Sequence, residues 1–373
     1  MKRFWSNSGN NPDSKVTTVG TQQGQMCNAK MFSQKSDSET RTELRQDPVT
    51  GKWVIISPQR AARPQEFDTR PRRIRHGPCP FCPGNEAMTP TAMLIKHGPS
   101  GGSGPVSWKV RVIPNKYPAL IDCQESLQQF GVYRARAGIG CHEVLIETPR
   151  HVQSLSELTS EEIRDSLEIL IARLEILKKD KRLQYVMAFK NVGAAAGASI
   201  EHTHSQIMAT PIIPDTITAE LTGAREFFQR QERCVYCQMI QQELPHEDRV
   251  VFASQHFIVI CPFASRFPFE TWILPREHSW RFEETPGDLW DEFVQVSKET
   301  IGRIEKALPG VGYNMILHNA PLHDEVPFYH WHIEILPSTS RPAGFEWGSG
   351  VQINPVFPEF AAQSLREQGI SSS

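Results

Sequence analysis

The chain lacks a charge surplus of either sign. Forty Lys and Arg stand against 42 Asp and Glu, a formal net charge of −2 over 373 residues. That excludes a globally basic surface and, with it, nucleic acid as a partner read from composition. No apolar run approaches the roughly 20 residues that span a bilayer, so no membrane partner is expected. Residues 1–40 have few large apolar side chains and no apolar core of a signal peptide. They read as a disordered tail, or as a translation start placed too far upstream, with Met26 and Met31 as later candidates. The eight cysteines do not look like a disulfide framework. Four of them form Cys79-Pro-Phe-Cys82 and Cys234-Val-Tyr-Cys237, in a chain far larger than disulfide-dense secreted domains. Metal ligation in a cytoplasmic protein is the expectation.

The most informative stretch runs from Asn191 to Gln206. A small-residue loop, Gly193 to Ser199, leads into His202, His204 and Gln206 at alternating positions. If 202–208 is a strand, its period of two puts all three on one face. A loop of backbone N–H groups beside imidazoles suits an anionic ligand. A lone His-x-His is more often an ordinary edge strand, so the rest of the chain must decide.

That rest contains one set of features twice. Glu143 precedes His151 by eight residues, as Glu270 precedes His278. His151 to His202 is 51 residues and His278 to His330 is 52. Tyr185 to Asn191 and Tyr313 to Asn319 are each six; Asn191 to His202 and Asn319 to His330 are each eleven. This spacing implies an internal duplication. A helix is predicted over 159–179, opened by a Thr159-Ser-Glu-Glu162 capping box, and another over 287–307. A third helix is expected over 219–231, and residues 97–107 read as a flexible loop. The predicted fold class is α+β: two tandem domains, 41–214 and 215–373, each an antiparallel sheet with one long helix packed on it.

The duplication gives each Cys-x-x-Cys two histidines. Cys79, Cys82, His151 and His202 form one set; Cys234, Cys237, His278 and His330 form the other. Two thiolates and two imidazoles make a closed tetrahedral zinc set, so two structural Zn2+ sites are expected. His204 is then left free beside the glycine loop, a candidate nucleophile toward phosphorus. Gln206 shares its face and is able to donate an amide hydrogen bond to a phosphoryl oxygen. In the second copy Gln206 becomes Glu334, and residues 320–329 contain no glycine but two carboxylates. A phosphate would be repelled there, which assigns catalysis to the first copy.

At these residues the chain resembles the galactose-1-phosphate uridylyltransferase family, the transferase branch of the histidine-triad superfamily. The resemblance covers roughly 43–368 and is carried by Arg45-Gln-Asp-Pro-Val-Thr-Gly-Lys-Trp-Val, Ser57 to Pro64, Cys79-Pro-Phe-Cys82, Asn115-Lys-Tyr-Pro-Ala-Leu120, Asn191 to Gln206, Pro268-Phe-Glu-Thr271 and His330-Trp-His332. It implies two tandem histidine-triad-like domains and a ping-pong transfer. His204 would attack the α-phosphorus of a nucleotide sugar, and a hexose 1-phosphate would take the nucleotide from the nucleotidyl-histidine. The glutamine stands where the hydrolase branch has its last histidine, which fits transfer. The resemblance further implies that Arg60 and Arg63 face phosphates, that Asn115 lies near the nucleoside, and that Asn191 and Ser199, with the loop glycines Gly193 and Gly197, hold the phosphoryl group. Phe345 and Glu346 would reach the sugar, and a homodimer is implied. The first expectation is a UDP-glucose:hexose-1-phosphate uridylyltransferase of galactose metabolism. The second Cys-x-x-Cys is absent from some family members, and the runs Gly344 to Gly350 and Ile353 to Glu359 look closer to a branch that includes ADP-glucose phosphorylases, the alternative.

Overall fold

The computed structural model describes residues 41–62, 77–98, 108–124 and 127–369. The tail over 1–40 and most of the loop expected over 97–107 lie outside them. The strands are β1 (Glu43–Gln46), β2 (Trp53–Ile56), β3 (Leu94–His97), β4 (Trp108–Pro114), β5 (Leu127–Phe130), β6 (Tyr133–Arg136), β7 (Cys141–Ile146), β8 (Tyr185–Val192), β9 (His204–Thr210), β10 (Val250–Ala253), β11 (Phe257–Ile260), β12 (Thr271–Pro275), β13 (Tyr313–His318), β14 (His332–Pro337) and β15 (Gln352–Asn354). The helices are α1 (Ser160–Leu177), α2 (Asp215–Gln231), α3 (Val235–His246), α4 (Trp290–Ala307), α5 (Gly344–Ser349) and α6 (Pro358–Glu367).

The fold is mixed α+β. The two expected sheets are joined into one ten-stranded sheet, in the order β10-β11-β12-β14-β13-β8-β9-β7-β4-β3. The junction is the antiparallel pair β8–β13, with Phe189 opposite Ile316. Both strands are almost wholly hydrophobic at alternate positions. Left unpaired, either would expose a row of backbone donors and acceptors, so closing them on each other removes two edges. Read outward from that junction, the places are filled in the same sequence on both sides, β8-β9-β7-β4-β3 and β13-β14-β12-β11-β10.

The helices form where the caps predict. Thr159 accepts from the Glu162 N–H at 3.2 Å, and Glu162 accepts from the Thr159 N–H at 2.8 Å, starting α1. Ile163 and Leu174 of α1 and Phe293, Ile301 and Ile304 of α4 pack on Val186, Ile207, Ala209 and Ile333 in one apolar core. The α2 helix starts earlier than the sequence suggests, at Asp215 directly after Pro214, because a Pro at the cap costs no hydrogen bond. Strands β1, β2 and β15 make a separate three-stranded sheet. Among the described residues no helix is long and apolar enough to cross a membrane.

The core side of the large sheet decides where chemistry can sit. On β9, Ile207 and Ala209 are fully buried against the helices. The alternation of the strand therefore turns His204 and Gln206 to the other face.

Candidate functional site

The knuckle Cys79-Pro-Phe-Cys82 is a tight turn, closed by the Cys82 N–H on the Cys79 carbonyl and tied by Asn85 Nδ2 to that same oxygen at 2.8 Å. Its Phe81 is buried among Trp108, Ile113, Val144 and Ile146. That anchors both thiols beside His151, which follows β7, and His202, which precedes β9. Cys82 Sγ lies 3.2 Å from His151 Nδ1 and 3.6 Å from His202 Nδ1; Cys79 Sγ lies 3.7 Å from His202 Nδ1. Metal–sulfur bonds near 2.3 Å and metal–nitrogen bonds near 2.0–2.1 Å give a tetrahedral S···N edge of about 3.5 Å. The residues present fit zinc. The His202 Nε2–H donates to the Thr148 carbonyl at 2.8 Å, which leaves Nδ1 as the ligating atom. Burial and the neighbouring Cys79 thiol push the Cys82 thiol up to about 11. A bound cation would offset that cost for Cys82.

The second set repeats this geometry. Cys237 Sγ is 3.4 Å from His278 Nδ1 and 3.6 Å from His330 Nδ1, and Cys234 Sγ is 4.0 Å from the latter. His330 Nε2–H donates to the Pro275 carbonyl at 2.9 Å. In each set the four ligand atoms lie within 4.8 Å of one another. All eight ligand residues expected from the sequence are thus assembled into two candidate metal centres.

His204 is buried, and its Nδ1–H donates to the His202 carbonyl at 2.8 Å. Nε2 therefore carries the lone pair. Burial pushes this imidazole below its usual range; the His202 carbonyl offsets part of that, and the Lys190 charge pushes it down again. The neutral ring presents its Nε2 lone pair. The Phe81 ring meets it edge-on with centroids 5.2 Å apart, restricting its rotation. Beneath it, on the helix side of the sheet, lies a buried ion pair. Lys190 Nζ donates to Glu147 at 2.5 Å, to Thr203 Oγ1 at 2.7 Å and to the His204 carbonyl at 3.2 Å. Glu147 also accepts from the Thr203 and Ser205 hydroxyls. The polar side chains around the His204 backbone are thus all satisfied.

Several expectations need correcting. Strand β9 begins at His204, so His202 sits outside it, where the Thr203 N–H donates to the Val152 carbonyl. The glycine loop is less open than its composition suggests. Gly193 and Gly197 have φ of +79° and +88°, and the turn they allow uses the N–H groups of Ala196, Gly197 and Ala198 within the loop. Those three donors do not face a ligand. Glu334 does not repel phosphate as a free charge. It is buried against Arg266 at 2.5 Å and His318 at 3.2 Å. The counterpart of the His204 face is instead filled: Tyr236 and Trp272 pack on His332 with ring centroids 5.0 and 4.9 Å away.

Of the remaining expected residues, Asn115 lies near Gln206 through His142, and Asn191 lies at the end of β8. Gly193, Gly197 and Ser199 are exposed on the loop. Arg60 is exposed on a 3-10 turn after β2, and Phe345 and Glu346 lie on the short exposed α5. Among the described residues no hydrogen bond or ion pair links these three to the His204 group. Arg63 lies outside the described residues.

Sequence reasoning missed four things here. Asn314 Nδ2 donates to Asn191 Oδ1 and to the Ala196 carbonyl, both at 2.8 Å, pinning the glycine loop from β13. The Lys190–Glu147 pair and His142 also went unread. The fourth is a buried group of Glu220, His318, His332 and Glu334, whose side-chain atoms lie as close together as those of the Cys/His sets. Burial alone would push the His318 imidazole down, but the carboxylates of Glu220 and Glu334 raise it to about 10. None has a local signal, since each depends on which strands become neighbours.

The family model "Galactose-1-phosphate uridyl transferase, N-terminal domain" matches residues 31–214, and a domain of unknown function, DUF4921, matches residues 143–369. The chain is 37% identical to the ADP-glucose phosphorylase of Arabidopsis thaliana over 88% of this chain and 93% of that protein. It is 28% identical to the galactose-1-phosphate uridylyltransferase of Thermotoga maritima over 87% of this chain and 98% of that one. The crystal structure of the Arabidopsis thaliana ADP-glucose phosphorylase with bound ADP-glucose superposes with a TM-score of 0.74 and 34% identity, covering 88% of this chain and 99% of that one. This chain belongs to the galactose-1-phosphate uridylyltransferase family and is a nucleotidyltransferase enzyme.

Proposed function

We propose that the enzyme transfers a nucleoside monophosphate from a nucleotide sugar through a covalent bond to His204. The observation that carries this is the tautomer: Nδ1–H is committed to the His202 carbonyl, which leaves the lone pair on Nε2. Its lone pair attacks the α-phosphorus, and the bond from that phosphorus to the bridging oxygen breaks. Sugar 1-phosphate leaves with the bond's electrons. A phosphate oxygen of the acceptor then attacks the same phosphorus, and the P–N electrons return to Nε2. No net proton moves, so no acid or base beyond His204 is required. The Gln206 amide donates to a phosphoryl oxygen, and Asn191 and Ser199 hold the group from the loop.

Of the two donors the sequence leaves open, ADP-glucose is supported by 37% identity to an ADP-glucose phosphorylase. Inorganic phosphate or a sugar 1-phosphate is then the acceptor. The UDP-hexose reading is supported by 28% identity to a uridylyltransferase. The protein is incubated with each nucleotide sugar radiolabelled in its α-phosphate, quenched and digested. Label is expected on the peptide carrying His204, and none in His204→Gly. If neither donor labels wild type, the covalent reading is wrong. Nucleotide release independent of any acceptor would indicate a hydrolase instead.

The two Cys/His sets hold zinc in this reading. A bound zinc supplies folding free energy and fixes His202 two residues from His204. Metal analysis should find close to two zinc per chain, and Cys79→Ser should lower both zinc content and thermal stability. A metal content near zero in the folded protein would remove the assignment. The matching strand order of the two halves of the sheet supports an internal duplication, with 41–214 as the catalytic half and 215–373 as its counterpart.

A further inference from the structure

We propose that His142 is a positioning residue that fixes the orientation of the Gln206 amide; this rests on the role given to Gln206 above. His142 and Gln206 lie on one face of neighbouring strands. In the β7–β9 register Val144 faces Gln206 and His142 faces Met208, so His142 is the diagonal neighbour of Gln206. Its Nε2 is 2.8 Å from Gln206 Oε1. Its Nδ1 lies 3.3 Å from the Ala119 backbone nitrogen, which has only a hydrogen to offer. Nδ1 is therefore the acceptor, and the one proton of the neutral ring sits on Nε2. That proton goes to Gln206 Oε1. The Gln206 oxygen is occupied, and its NH2 is left as the outward donor.

The third neighbour does not share that proton. Asn115 Nδ2 is 3.1 Å from His142 Nε2, and Asn115 Oδ1 accepts from the Tyr117 N–H. The Tyr117 N–H, not the ring, orients the Asn115 amide, and with donors on both sides its hydrogens are not spent on His142. Without His142 the Gln206 amide is free to turn its oxygen toward the phosphoryl group, where two acceptors repel. Backbone geometry supports the arrangement. Gly140, with φ of +153°, opens β7 where a Cβ would run into the Ala209 carbonyl and Leu120. Only a glycine lets the 119–120 segment lie this close to His142.

The test is a cycle of His142→Phe, Gln206→Ala and the double variant, with His142→Gln as the conservative control. Label transfer to His204 is followed in a single turnover with ADP-glucose or UDP-glucose, whichever labels wild type. His142→Phe should slow labelling about 10- to 100-fold with little change in donor KM, the scale for a group that orients a reacting one. His142→Gln keeps a donor at the Nε2 position and should recover most of the rate. The double variant should be no slower than Gln206→Ala alone. Independent, multiplying losses would overturn the proposal, as would failure of His142→Gln to recover with an unchanged melting temperature. Gln206→Ala with wild-type rates, or no labelling of wild type, would instead refute the role of Gln206 and with it this inference.

Discussion

Replacing Lys190 with Met tests how the strand that carries His204 is held. The ammonium and the Glu147 carboxylate are both nearly inaccessible, at 3% and 5% exposure. Among the described residues the lysine is the one positive charge bonded to that carboxylate; its other partners are the Thr203 and Ser205 hydroxyls. Removing one partner of a buried pair typically costs about 3–5 kcal/mol, because the remaining charge stays desolvated. Lys190→Met should therefore lower stability in urea denaturation by about that amount. Adding Glu147→Gln, which removes the stranded charge but can still accept from the hydroxyls, should restore more than half of the loss. The pH dependence separates this from lost packing. Burial raises the Glu147 carboxyl, but Lys190 and the hydroxyls more than offset it and hold it below its ordinary 4.5. In wild type the folded form thus releases its proton more readily than the unfolded one. Its contribution is present above about pH 4.5 and is lost as pH falls through the lower folded value. In Lys190→Met only the Thr203 and Ser205 hydroxyls still oppose burial; the folded carboxyl should then rise above the unfolded value, and stability should decline as pH rises. The difference between the two proteins should widen from pH 4.5 to 7. A deficit under about 1 kcal/mol, or one independent of pH, would refute the reasoning.

Two further outcomes follow from the same kind of accounting. Asn314→Ala frees both Asn191 Oδ1 and the Ala196 carbonyl. It should slow His204 labelling about tenfold, the scale for a lost orienting contact, while leaving zinc content unchanged; an unaltered rate would show that the loop holds itself. His318→Leu leaves Glu220 and Glu334 buried with their shared cation gone. It should cost about 3–5 kcal/mol by chemical denaturation, and a wild-type melting curve would mean that Arg266 alone neutralises the group.

The spacings that suggested duplication were only partly structural. The candidate metal ligands occupy equivalent places in the two halves, as a ligand set that tolerates no slip would require. Glu143 and Glu270 do not, although each precedes its histidine by eight residues. In the sheet Glu143 pairs with Ile207, whereas Thr271, not Glu270, pairs with Ile335. Glu143 is bound by Arg173, and Glu270 by Arg266. Equal spacing along a chain specifies register only where no residue is gained or lost in the turns between. The same limit applies to Tyr185 and Tyr313, which pair with Thr210 and Pro337. Those partners lie six and five residues beyond His204 and His332.

The sequence alone determined what is local: the two knuckles, the capped helix α1, the alternation that separates His204 from the core, and the histidines able to complete each set of four. Those follow from side-chain chemistry and from periods of two and 3.6 residues. Only the tertiary structure decided that one sheet runs through both halves, and that Asn314 holds the glycine loop from the opposite half. It alone placed Lys190 and Glu147 beneath His204 and His142 against Gln206. A polar residue on a strand carries no mark of the strand it will lie beside, and its charge or proton takes a role only when that neighbour removes the water.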